Sequence, residues 1–117
     1  MSNCSARRIA GIMGFSGVLF GAFGAHLLHG LLQEYETTGI WETGVLYHLV
    51  HALALLVLSG LRPVPSWAFA MMLGGIVIFS GSLYVLSLTN VRWLGAVTPV
   101  GGLGLMAGWL ALAFPKR

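Results

Sequence analysis

The chain has 117 residues, of which 57% are hydrophobic and 8% charged, with a formal charge of +3 and a mean hydropathy of +0.89. That much apolar surface excludes an ordinary soluble fold, and the length allows one domain, residues 1–117. A pI of about 9.6 would suggest nucleic acid in a soluble chain. Here the charges lie between and outside four apolar runs, so no nucleic-acid partner is expected.

The runs cover residues 9–32, 45–61, 67–88 and 93–114. A bilayer core takes about 20 apolar residues of helix, so each run reads as a span. Short connectors make consecutive helices antiparallel neighbours. The expected fold class is therefore all-α, an integral membrane four-helix antiparallel bundle.

Ahead of the first run stand Cys4, the only cysteine, and the pair Arg7–Arg8. The run that follows exceeds the 7–15 residues or so of a signal h-region, so it reads as a span and not a cleaved leader. Along it Ala10, Gly14, Gly17, Gly21 and Gly24 recur at helical spacing and form one small-residue face. The fourth run repeats the pattern with Gly101, Gly104, Gly108 and Ala111. Such faces let helices approach closely in lipid, where no hydrophobic drive brings them together. We read them as packing seams within the bundle, the first helix on the fourth, with homodimerisation as the alternative.

The connector at 33–44 holds all three acids, Glu34, Glu36 and Glu42. Tyr35 and Trp41 suit the headgroup level. The second run opens with Tyr47, His48 and His51, and ends before Arg62, Pro63 and Pro65. Ser66 is placed to cap the third helix, which carries Ser80, Ser82 and Tyr84. Two starts are open for the fourth helix: Pro99 with Thr98 as its cap, or Trp93 with a proline kink eased by Gly95.

Orientation follows from the cations. Arg7, Arg8, Arg62, Lys116 and Arg117 fall on one side and Arg92 alone on the other, which predicts both termini inside. Depth follows from the helical rise of about 1.5 Å per residue, which puts His26 about 27 Å above Arg8. Counted the same way, His26, Tyr47, His48, His51, Ser80, Ser82, Tyr84 and Thr98 gather at one level toward the external face. The inner half is nearly all apolar.

Two histidine pairs at i,i+3 spacing, His26 with His29 and His48 with His51, match a transition metal or a haem between helices in number. Equally, the imidazoles can hydrogen-bond to hydroxyls and backbone and so join helices, which is the default for polar groups in lipid. No Cys, Asp or nearby Glu completes a ligand set, so neither metal nor cofactor is assigned. No nucleophile–base–orienter set is present either, and the chain is read as non-enzymatic.

GAFGAH at 21–26, the stretch from Trp41 through Tyr47 to HALALL at 51–56, FSGSLYVLSL at 79–88, TPVGG at 98–102 and GW at 108–109 resemble domain-of-unknown-function family 423. That family is also called uncharacterised protein family 0382 or the transmembrane protein 256 family. The resemblance implies a small four-span, multi-pass protein of the bacterial inner (plasma) membrane, with no established activity. It implies matching positions at His26, Tyr47, His51, Ser80, Gly81, Ser82, Tyr84, Thr98, Pro99, Gly101 and Gly102. It places glutamine where this chain has His48 and leaves His29 outside the pattern, so His26 and His51 become the pair of interest.

The function expected is that of a non-catalytic accessory or structural membrane protein. Its expected partners are the lipid bilayer and a larger membrane complex or further copies of itself. The alternatives are an oligomeric small-solute or ion transporter or channel entered through the polar cluster, and a haem- or metal-binding protein. Against a carrier, no Asp, Glu, Lys or Arg lies mid-span.

Overall fold

The computed structural model describes residues 1–115, so Lys116 and Arg117 of the charge count lie outside the described residues. The elements are α1 (Asn3–Ala25), α2 (His29–Glu34), α3 (Thr38–Ser59), α4 (Ser66–Thr89), a 3₁₀ turn (Arg92–Ala96) and α5 (Thr98–Ala113). No strand occurs among the described residues. Four segments are long and apolar enough to cross a membrane: α1, α3, α4 and the 3₁₀ turn continued by α5.

Several boundaries differ from the expected ones, each for a local reason. α1 starts at Asn3, where the Ser2 hydroxyl accepts the Ser5 amide at 3.0 Å and caps the helix ahead of the apolar run. It stops at Ala25, not residue 32. The chain breaks over residues 26–28, and α2 then lays Leu32 under the helix ends, 1% exposed beside Trp41 and Tyr84. α3 begins seven residues earlier than expected because its first two turns, which include Glu42, stand outside the apolar run.

Ser66 does not cap α4. Its hydroxyl turns back to the Val64 carbonyl at 3.4 Å, and Pro65 occupies the cap position. α4 ends on Asn90 in the left-handed conformation (φ 58°), which short polar side chains tolerate. The α5 helix proper starts at Thr98 with Pro99 in its first turn. Residues from Arg92 form a 3₁₀ turn, which is neither of the two expected starts.

The helices are antiparallel and stand in the spatial order α1, α3, α4, α5. α1 packs on α3, α3 on α4 and α4 on α5, but no Cα of α1 lies within 8 Å of α5. The bundle is therefore an open, flattened slab with principal extents of 50 × 26 × 16 Å. α4 is the enclosed member, with Phe69 and Met72 fully buried, and α1 and α5 are its edges.

The glycine seams account for this order. A Cβ added to Gly17 would meet Leu49 at 2.6 Å, and one on Gly21 would meet Val45 at 3.3 Å. One on Gly24 would run into the Trp41 indole. The α1 stripe thus receives α3, not α5 as expected, and Gly14 stands open with nothing within 4 Å. On α5, Gly101 faces Phe79, Gly104 faces Gly75 and Met71, and Gly108 faces Met72, all on α4. Each seam serves its neighbour in sequence.

Candidate functional site

The polar side chains of the spans form two groups at different depths. At the end of the slab that carries α2 and the 3₁₀ turn, the connector end, exposed Glu42 is the last charged residue before the second apolar run, and burying its carboxylate in hydrocarbon would be costly, so depth is counted from it. His48 lies about 9 Å below Glu42 along α3 and His51 about 13.5 Å, near the midplane.

His48 is 4% exposed and joins three helices. Its Nε2 lies 3.1 Å from Ser16 Oγ on α1, and its Nδ1 lies 2.8 Å from the Tyr84 hydroxyl on α4. The Ser16 hydroxyl proton goes to the Met13 carbonyl at 3.1 Å, so Ser16 accepts from His48. In the neutral ring that fixes the proton on Nε2 and leaves Nδ1 to accept the Tyr84 O–H. Donation therefore runs one way, Tyr84 to His48 to Ser16 to Met13 carbonyl. Phe20 lies edge-on to Tyr84 with centroids 4.9 Å apart, and Trp41 lies 4.7 Å from the same ring. The Trp41 indole donates to the Phe20 carbonyl at 3.0 Å. Trp41 was expected among headgroups; instead it is 3% exposed, drawn inward by the space that Gly24 leaves.

His51 carries the opposite tautomer. Trp109 Nε1 on α5 donates to His51 Nε2 at 3.0 Å, so the ring proton sits on Nδ1 and goes to the Tyr47 carbonyl at 2.8 Å. We predict that ¹⁵N NMR of the histidine-labelled protein at neutral pH resolves His48 as the Nε2–H form and His51 as the Nδ1–H form. A single shared tautomer would contradict both networks. We also expect Trp109→Phe to cost about 1–2 kcal/mol in a reversible unfolding assay, because it orphans a buried acceptor.

Four further hydroxyls fasten one element to another. Ser80 donates to the Gly44 carbonyl at 2.7 Å (α4 to α3), and Ser82 and Thr98 share a 2.6 Å bond (α4 to α5). Buried Thr37, ahead of α3, donates to the Ser87 carbonyl at 2.9 Å. At the opposite end, which carries the N-terminus, Asn3 Nδ2 bonds the carbonyls of Ser59 and Leu61 at 2.8 and 2.9 Å. Among the described residues every buried side-chain nitrogen or oxygen has a partner.

Two expected members do not join. His26 is exposed where α1 ends, because the helix stops there and turns outward instead of continuing to His29, which is also exposed. The proposed His26–His51 pair is thereby undone: His51 is buried on α3 with both ring nitrogens engaged. Tyr47 is 41% exposed; its ring packs 4.6 Å from Phe79, and only its carbonyl enters the network. Ser16, Thr37, Trp41 and Trp109 join these networks although the sequence pattern places none of them in the polar cluster. The available signals were the adjacency of Ser16 to Gly17 on the α1 stripe and of Trp109 to Gly108 on the α5 seam.

A slab of apolar helices clamped by internal polar bonds defines a multi-pass α-helical membrane protein. The chain belongs to the family described as "Protein of unknown function (DUF423)", which matches residues 20–102. It is 48% identical over 96 residues to a UPF0382 membrane protein of Staphylococcus epidermidis, covering 79% of this chain and 78% of that one. It is 44% identical over 99 residues to UPF0382 membrane protein YwdK of Bacillus subtilis, covering 79% of each. Identity to UPF0382 inner membrane protein YgdD of Escherichia coli is 42% over 105 residues, covering 86% of this chain and 79% of the relative. No solved structure matches. The chain is thus an inner-membrane protein of an uncharacterised family.

Proposed function

We propose that the protein is a non-catalytic accessory of the membrane, a preformed slab that packs against a larger complex with both of its own termini in the cytoplasm. One observation carries this reading: the side chains that a ligand site would use are bonded to one another or to backbone carbonyls, joining α1 to α3, α3 to α4, α4 to α5 and, through Trp109 and His51, α5 to α3. Polar groups so paired act as interhelical fasteners worth about 0.6 kcal/mol each, up to about 1.7. The edges support the same role. Ile12, Phe15 and Val18 on α1 and Leu103, Met106 and Leu110 on α5 face outward as large apolar surfaces. Purification in a mild detergent is expected to retain a partner at fixed stoichiometry; a lone monomer from every preparation would count against the reading.

The orientation has its own test. Cys4 is exposed at the N-terminal end of α1. A membrane-impermeant maleimide is expected to label it only after cells are opened. In a Cys4→Ser background, Glu36→Cys is expected to react in intact cells. The reverse pattern would invert the topology.

A further inference from the structure

At the N-terminal end of α4, a cavity of about 840 Å³ opens between α4 and the end of α5, bounded by Pro63, Ser66, Trp67, Ala111 and Phe114. Trp67 and Phe114 flank it and are 69% and 78% exposed, an aromatic pair of the kind that marks the headgroup boundary. The polar contribution comes from the backbone of α4. No side chain caps this helix, and its first internal bond is Phe69 N–H to the Pro65 carbonyl at 2.9 Å. The Trp67 and Ala68 amides consequently meet no acceptor among the described residues, although Ala68 is only 2% exposed. The first amides of a helix have no acceptor within it, and here they stay free to bond an anion at the positive end of α4.

Among the described residues the charged side chains at this end are all cations. Exposed Arg62 directly precedes Pro63 of the cavity wall; Arg7 and Arg8 stand at the same end of the slab but on α1, its opposite edge. All three acids lie toward the connector end, in α2, just after it, and in the first turns of α3.

We propose that this cavity holds one anionic phospholipid of the surrounding leaflet. Its phosphate sits on the α4 amides beside Arg62, and an acyl chain lies along Trp67, Ala111 and Phe114. Oxygen acceptors on a phosphate suit N–H groups at a positive helix end, and a net negative headgroup suits the arginines. The apolar walls and the opening toward the bilayer select a lipid over a free phosphate ion.

Native mass spectrometry of the detergent-purified full chain tests this with phosphatidylglycerol and phosphatidylcholine of the same acyl chains. One phosphatidylglycerol is expected to be retained in preference to phosphatidylcholine, and equimolar inorganic phosphate is expected not to displace it. Arg62→Gln is expected to weaken retention about five-fold, the effect of one cation at a membrane surface. Ala111→Trp, which fills the cavity, is expected to abolish it, and Arg92→Gln at the far end to leave it unchanged. Circular dichroism checks that each variant keeps its helices; should Ala111→Trp not fold, exposed Arg62→Gln decides alone. Equal retention of both lipids, displacement by phosphate, or a folded Arg62→Gln that binds like the parent would overturn the proposal.

Discussion

Gly101→Ala lowers the stability of the bundle by about 3 kcal/mol, the upper end of the usual cost of overpacking. The added methyl would lie 2.7 Å from the Phe79 Cα and closer still to its backbone nitrogen. Backbone cannot rotate away as a side chain can, so α5 must shift off α4 along its length. The shift would also pull Thr98 from Ser82 and Trp109 from His51, the bonds that tie α5 to the slab. Gly14→Ala is the control: nothing lies within 4 Å, and the variant is expected to be neutral or more stable by up to about 1 kcal/mol. Reversible unfolding in bicelles measures both. If Gly101→Ala were tolerated and Gly14→Ala harmful, the α1 stripe would be making its main contact outside this chain, and the seam assignment would fail.

That contrast shows what a small-residue pattern encodes. The spacing of Gly17, Gly21 and Gly24 fixes which face of α1 is approached closely, and the structure places a neighbour on that face. The pattern does not encode which helix arrives. Glycines on both the first and the fourth span suggest that these two helices pack on each other. Close packing, however, needs small residues on one side only. Large side chains of α3 (Trp41, Val45, Leu49) fill the α1 groove, while Phe79 and Met72 of α4 fill the α5 groove. Complementarity between groove and bulk decided the order of the slab.

Depth was legible in part. Tyr84, Ser80, Ser82 and Thr98 do bond to groups on neighbouring helices, as residues too polar for lipid must. The histidines were harder, because a helix's rotation depends on where it begins and ends. α1 was read as continuing to residue 32, which carried His26 and His29 around a shared face; its stop at Ala25 releases both to the surface. α3 was counted from residue 45, whereas it starts at Thr38 and places His51 near the midplane. Ser16 escaped notice because a single hydroxyl in an apolar run normally bonds its own helix backbone. Here it does so and accepts from His48 as well.

His48→Ala is the second large effect, expected to cost about 3 kcal/mol or more. Removing the ring leaves the Tyr84 hydroxyl, on a residue 8% exposed, without its acceptor, and opens a void among Phe20, Trp41 and Tyr84. An unsatisfied buried donor costs about 1–3 kcal/mol, and the cavity adds to it. His48→Gln is expected to recover most of the loss, since a glutamine side chain has one oxygen to accept from Tyr84 and an amide to donate to Ser16. Tyr84→Phe in the His48→Ala background should then cost little more, because the orphaned group is gone. A double-mutant cycle over His48 and Tyr84 isolates the bond, with a coupling of about 1–2 kcal/mol expected for two groups in one buried network. Were His48→Gln as damaging as His48→Ala, the imidazole would be contributing more than this one-way run of hydrogen bonds, and the purely structural reading of the cluster would have to be abandoned.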